Sequence, residues 1–356
     1  MLNGSYNSTN AQRRNLETSI LLSGALLIGV LFVAIQTPAQ NTPLISGGAG
    51  FLTNTNAGNT SYLPTVMPLI AAPLGSHALA EGRATLLEDF FPKGGDQSGY
   101  SHVHYVALTY MQLDYLVNSH LTIVAGEFLT PFGSYNERLT PIWISNFEDA
   151  PLSFTLGIGT GSSVGGMIRG SAVSTSDYSI DYAAYYSAAS SNQNFSSQNS
   201  WGGRSSIYIP RNRLELGASF ARVNAQQKTN NVGVHAWWEP GDSSFKLRSE
   251  FDRGTHSQGY WMEADYRFSR LGGSDTGIGR LEPVFRWQEV FRNSPDPSDG
   301  LPSADTREID AGLDYHLPHE VRINTSYSRQ LSSTGNRNIW QTGIVYRFLF
   351  PAWRSK

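Results

Sequence analysis

The sequence predicts an all-β protein, an antiparallel transmembrane β-barrel of about fourteen strands, with twelve to sixteen in range. Three observations carry this. Segments of about ten residues alternate apolar with polar, the period of a strand whose two faces meet different environments. The connections between them alternate short with long, as in barrels with tight periplasmic turns and longer external loops. An export signal precedes them all.

Residues 1–39 read as that signal. Arg13 and Arg14 precede the uncharged apolar run Ile20 to Ile35, and Thr37-Pro38-Ala39 follows, which suits cleavage near Ala39. A retained helical anchor is the rival reading, since sixteen apolar residues fall just short of a span. Residues 40–75 read as a lead-in on the periplasmic rim, in the lumen or as an irregular first strand. Pro64, Pro68 and Pro73 interrupt its apolar stretch and remove ladder donors. Fourteen strand segments follow, from 76–91 to 337–350, placing the barrel at 76–350 and a tail at 351–356.

The 356 residues suffice for one large barrel or two ordinary domains. Mean hydropathy is slightly polar, as expected where lumen-facing polar side chains cancel lipid-facing apolar ones. Aromatics make up 12% and charged residues only 15%, which suits β-structure with aromatic girdles. The absence of cysteine excludes disulfides and thiolate chemistry, and a net charge of −3 argues against a nucleic-acid binder.

The strand faces assign the lumen. Tyr260, Met262, Ala264 and Tyr266 share one face, and Trp261, Glu263, Asp265 and Arg267 the other. Odd positions from Val103 to Val117 likewise form one apolar side. An arginine or lysine facing lipid near mid-membrane costs about 2–4 kcal/mol. Arg83, Lys246, Arg248, Glu250, Glu263, Asp265, Arg267, Arg286 and Arg322 are therefore expected to line an aqueous pore. So many strands enclose a lumen that wall side chains alone do not fill. The longest connection, 133–159, is the candidate to narrow it by folding inward, bringing Tyr135, Asn136, Arg138, Glu148 and Asp149 beside solute.

The stretch Phe128-Leu129-Thr130-Pro131-Phe132-Gly133-Ser134-Tyr135-Asn136-Glu137-Arg138 resembles one that recurs in the phosphate-selective porins O and P. The resemblance implies a trimeric outer-membrane channel whose loop lines the constriction. That family concentrates arginine and lysine in the pore, whereas here 26 basic residues face 29 acidic ones, so phosphate preference does not carry over. The last strand, ending Tyr346-Arg347-Phe348-Leu349-Phe350, is similar to a signal read by barrel-assembly machinery.

No GxSxG elbow, HExxH or P-loop occurs: the string Gly161-Ser162-Ser163-Val164-Gly165 falls inside the strand segment 160–174 and not at a strand-to-helix turn, and His102 with His104 offers two metal ligands without a third. The expectation is a non-enzymatic barrel in the bacterial outer membrane, needing no cofactor or metal. It would sit in outer-membrane lipids and pass small hydrophilic solutes or ions. The rivals are an outer-membrane lipid hydrolase and a non-conducting structural barrel.

Overall fold

The computed structural model describes residues 42–94, 98–154, 161–191, 197–224, 228–241, 243–273, 275–294 and 301–352. The expected signal, 1–39, lies outside them, as do 155–160 of the long connection and 353–356 of the tail.

Sixteen antiparallel strands close into one barrel. In order they are β1 (Leu44–Asn56), β2 (Asn59–Pro73), β3 (Ala78–Pro92), β4 (Tyr100–Asn118), β5 (Leu121–Leu129), β6 (Ser162–Ser174), β7 (Ser179–Ser187) and β8 (Ser200–Ile209). Then follow β9 (Leu214–Asn224), β10 (Lys228–Trp238), β11 (Phe245–Arg253), β12 (Ser257–Tyr266), β13 (Leu281–Arg292), β14 (Thr306–Leu317), β15 (Val321–Ser332) and β16 (Arg337–Pro351). Each strand pairs with its sequence neighbour, and β1 closes the ring on β16 over thirteen residue pairs. Two one-turn helices stand outside the sheet: α1 (Tyr135–Arg138) and α2 (Ser269–Gly272).

The count corrects the expected fourteen, and the two extra strands come from the segment read as a lead-in. The β1–β2 ladder runs unbroken through Pro64 and Pro68. The β2–β3 ladder skips both, resuming at Thr65–Leu87 and Leu69–Arg83. Successive residues direct their amides to alternate sides of a strand. Prolines four apart therefore lack donors on the same side, and one ladder absorbs both losses while the other stays whole. The barrel thus begins at Leu44, and its last strand takes in Pro351, the first residue of the expected tail. The amide of Ala352 donates to the Pro43 carbonyl at 2.8 Å, fastening the two ends together.

The outside is apolar. Phe51, Val234, Phe285, Trp340, Ile344 and Tyr346 are all exposed there. The inside is polar, with Asp265, Arg286, Gln288, Asp310 and Gln341 at 2% exposure or less. A sheet that shows water its apolar face and hides its charges is ordered for lipid, where a closed ladder leaves no unpaired strand edge in hydrocarbon.

Strand β4 departs from the single apolar side expected of it. The register slips by one residue between Arg83 and Ala84 of β3, so Arg83 pairs with Tyr110 but Ala84 with Leu108. A bulge inverts the faces beyond it. Met111, Leu113 and Tyr115 face outward, whereas Tyr105 and Val103, paired with inward Leu87 and Asp89, face the lumen. His102 and His104 consequently lie outside. His102 packs on Phe90 and His104 pairs with Glu88.

Candidate functional site

The chain leaves β5 and turns into the barrel at Gly133. This residue has a φ of 63°, and a Cβ here would meet the Glu250 carboxylate at 1.9 Å. Only glycine allows both the left-handed backbone and the close approach. Glu250 uses that approach to accept from the Ser134 amide (2.7 Å), the Ser134 hydroxyl (3.0 Å) and the Tyr135 amide (3.3 Å). The Gly133 amide donates to Ser219 at 3.0 Å, and its carbonyl accepts from Arg204 at 2.7 Å.

Helix α1 then seats the loop. Tyr135 packs edge-on against Trp261 and Phe154, with ring centres 5.8 and 5.0 Å away. Burial pushes its phenol up to about 12, so it stays neutral. Asn136 ties the two ends of the loop together. Its amide donates to the carbonyls of Thr130 and Gly161 at 2.9 Å each, and its oxygen accepts from the Gly161 amide at 3.1 Å. Arg138 pairs with Glu215 of β9 at 2.7 Å and lies over Trp237. Glu137 pairs with Arg204 of β8 at 2.6 Å.

The loop next crosses to the opposite wall. Thr140 accepts from Arg83 of β3 at 3.0 Å. The positions that a Cβ on Gly48 or Gly50 of β1 would take lie within 2.6 Å of Trp143 and 3.3 Å of Ile142. Arg322 of β15 donates to the carbonyls of Ile142 and Ser145 and pairs with Asp314 at 3.3 Å. The path returns through Asn146, whose amide reaches Glu263 at 3.0 Å and Asp265 at 3.3 Å. Those two carboxylates already hold Arg248, each at 3.0 Å, and Lys246 reaches Asp265 at 3.2 Å. Arg286 pairs with Asp310 at 2.8 Å, donates to the Asp149 carbonyl at 3.0 Å and sits over Phe147. Gln341 donates to the Asp149 carboxylate, and Gln288 accepts from the Leu152 amide at 2.7 Å. Burial, and then the neighbouring Asp149, push the Glu148 carboxyl up to about 8.

Of the residues expected to line a pore, all but Arg267 lie on the inward side of barrel strands. Arg83, Arg248, Glu250, Glu263, Asp265, Arg286 and Arg322 are buried under the loop and hold it. Arg267 lies one residue beyond β12, in the turn, where its amide donates to the Ser244 carbonyl at 3.2 Å. Water reaches Arg138, Lys246 and Arg169, whose side chains are 35%, 36% and 38% exposed, and Asp149 is exposed as well. Sequence reasoning missed Glu215, Gln288, Asp310 and Gln341 as anchors. All four share the inward parity of neighbours that were assigned. Among the described residues no cluster of three or more His, Asp or Glu is arranged to hold a metal ion.

No protein-family model matches the sequence, and no curated protein matches it. Solved structures do match in shape. An OmpF of Salmonella typhi, in complex with daunomycin, aligns at a TM-score of 0.59 and 15% identity, over 88% of this chain and 99% of that one. A loop-deletion mutant of OmpT, an outer-membrane protein of Vibrio cholerae, gives 0.55 at 10% identity over 86% and 99%. An anion-selective porin from Comamonas acidovorans gives 0.53 at 12% identity, again over 86% and 99%. At these identities the likeness establishes the closed barrel fold.

Proposed function

We propose that the protein is a porin of a bacterial outer membrane, giving passive diffusion to small hydrophilic solutes or ions. The observation that carries this is the inward loop within a polar lumen. A barrel that serves only as a wall has no need of a segment held across its interior by anchors on so many strands. Narrowed there, the lumen would select by width and by the fixed charges of Arg138, Asp149, Lys246 and Arg169, holding solute weakly enough to release it. No residue does covalent chemistry in this reading, and the lipid-hydrolase alternative finds no support in the lumen.

The similar solved structures include outer-membrane porins, which supports the location and the class. The finer resemblance to the phosphate-selective porins O and P rests on the residues that open the loop. We do not extend it to phosphate, because the lumen wall from β11 to β14 carries more carboxylates than bases. Export through residues 1–39, insertion by barrel-assembly machinery and a homotrimeric state complete the proposal. A second reading, a barrel closed by its own loop, draws on the anchors at Arg83 and Arg322, which tie the segment to walls on both sides.

Single-channel recording from the refolded protein in a planar bilayer decides between them. Stable conductance steps support the porin. A folded, heat-modifiable barrel that never conducts overturns it in favour of the closed barrel.

A further inference from the structure

Behind the loop lies a cavity of about 200 Å³, between the loop and the walls of β1, β15 and β16. Its sides are Tyr135, Phe147 and Phe154 from the loop, with Leu52 and Val345 from the barrel. Thr140, Ser145, Glu148 and Asn324 break this apolar lining. Glu148 Oε1 and Asn324 Oδ1 are both buried, and neither has a hydrogen-bond partner among the described residues. Asn324 as a whole is only 5% exposed.

These two oxygens converge. The point where a Cβ on Gly343 would stand is 2.7 Å from Asn324 Oδ1 and 3.0 Å from Glu148 Oε1. Leu52 Cδ2 stands 2.5 Å from the same point, so the two oxygens meet across a gap that Leu52 also borders. With the Glu148 carboxyl ionised, both of these oxygens are acceptors, and a buried acceptor left unpaired costs about 1–3 kcal/mol. The hydroxyls that line the same cavity offer little in return. Thr140 donates to the Asn136 carbonyl at 3.1 Å, and Ser145 to the Phe147 carbonyl at 2.6 Å. A ligand here must therefore bring donors, and charge decides which kind. Glu148 has no ion-pair partner among the described residues, the neighbouring charge that acts on it is another acid, Asp149, and the Thr53 backbone supplies a hydrogen bond to its carboxyl group.

We propose that this cavity is a binding site for small protonated amines with an apolar or aromatic body. The ammonium would donate to Glu148 and Asn324 from the cavity, beside Leu52, a charge-assisted contact on one side. The body would lie between the rings of Tyr135, Phe147 and Phe154, which favour both apolar surface and a nearby cation. An anion meets the like charge of Glu148. An alcohol of the same shape finds one acceptor to satisfy and no charge to neutralise. The proposal uses the porin reading only for the route by which the amine arrives.

The test is calorimetric titration of the full folded chain in detergent micelles at about pH 8.5, where the Glu148 carboxyl is mostly ionised, with empty micelles as blank. The probes are 2-phenylethylammonium, 2-phenylethanol and phenylacetate. Wild type is expected to bind the ammonium saturably and at least about tenfold more tightly than either other probe. Glu148→Gln is expected to erase that preference while leaving the alcohol unchanged. Absence of saturable binding, or equal affinity for the three probes in wild type, overturns the site, and neither result depends on the variant folding. Equal preference in wild type and folded Glu148→Gln also overturns it. Conductance recorded in parallel separates the two claims. Steps without selective binding remove the site and leave the pore. Selective binding without steps removes the pore and leaves the site.

Discussion

The wall from β11 to β14 and the wall from β1 to β4 are built by different rules. From β11 to β14 the registers run without a slip, and inward positions carry charge on every strand: Arg248, Glu263, Arg286 and Asp310 sit side by side. From β1 to β4 two prolines and a bulge interrupt the ladders; β1 and β2 carry no charge, Leu52, Leu63, Leu87 and Tyr105 are apolar inward positions, and inward charge is confined to β3 and β4 at Glu81, Arg83, Asp89 and Asp114. The first wall holds the loop by hydrogen bonds with side chains that are ion-paired among themselves, the second mainly by contact and the lone guanidinium of Arg83. A regular ladder fixes which side chains face inward, and a buried charge network needs that certainty, because one unmatched member costs more than the network returns.

The largest effect should come from breaking the regular wall. Arg286→Ala leaves Asp310 buried without its cation, frees the Asp149 carbonyl and removes the cover on Phe147. A loss of about 3–5 kcal/mol is expected, read as the shift in the urea midpoint of the barrel in lipid vesicles. Arg83→Ala on the other wall removes a single bond to Thr140 and no ion pair. It should cost less than half as much. Equal losses would show that the two walls are not distinct in the way described.

The face inversion in β4 gives the next contrast. Ile344 is exposed on the outer face of β16, so Ile344→Arg should cost about 2–4 kcal/mol by placing a cation in lipid. Tyr105 is just as exposed but faces the lumen beyond the bulge. Tyr105→Arg should cost under about 1 kcal/mol, the range of an ordinary surface substitution with some lost packing. Similar penalties at the two sites would mean that β4 keeps one face to lipid along its whole length.

These contrasts also mark how far the sequence could be read. Alternation placed Glu263, Asp265 and Arg286 inside because β12 and β13 pair without a slip. It misplaced Val103 and Tyr105 because a one-residue bulge has no composition of its own. It set aside β2 because proline counts against a strand, and the compensating even spacing of Pro64 and Pro68 matters only once the neighbours are known. The loop was legible from its length and from Gly133. Its anchors were not. A charge on the inward face looks the same in sequence whether water or a loop covers it, so residues expected to meet water lie instead beneath the loop.

A smaller effect tests the hinge itself. Gly133→Ala forces a left-handed alanine, at about 1–2 kcal/mol, and drives its methyl into the Glu250 carboxylate. The three bonds that Glu250 accepts from Ser134 and Tyr135 should weaken, with faster proteolysis in the loop as the readout. Glu250→Gln keeps the space but loses the charge, and should show the same change more mildly. Unchanged proteolysis in both would place the loop's hold elsewhere.

The subtlest effect is on pH, at the far end of the same loop. Glu148 faces Asp149 from its own segment, Arg286 and Gln341 meet Asp149 from β13 and β16, and Asn324 converges on Glu148 from β15. A carboxyl raised to about 8 is neutral in the folded protein across a range where the unfolded chain has already lost the proton. The folded state therefore binds more protons between the ordinary glutamate value and about 8, and stability falls as pH rises through that window. The loop tip should be held most firmly below it and most weakly above. Hydrogen exchange at residues 145–150 is expected to quicken from pH 6 to pH 9 beyond the intrinsic base dependence, and Glu148→Gln should flatten the excess. An excess that survives the substitution would assign the titration to another group and leave Glu148 as a spectator of it.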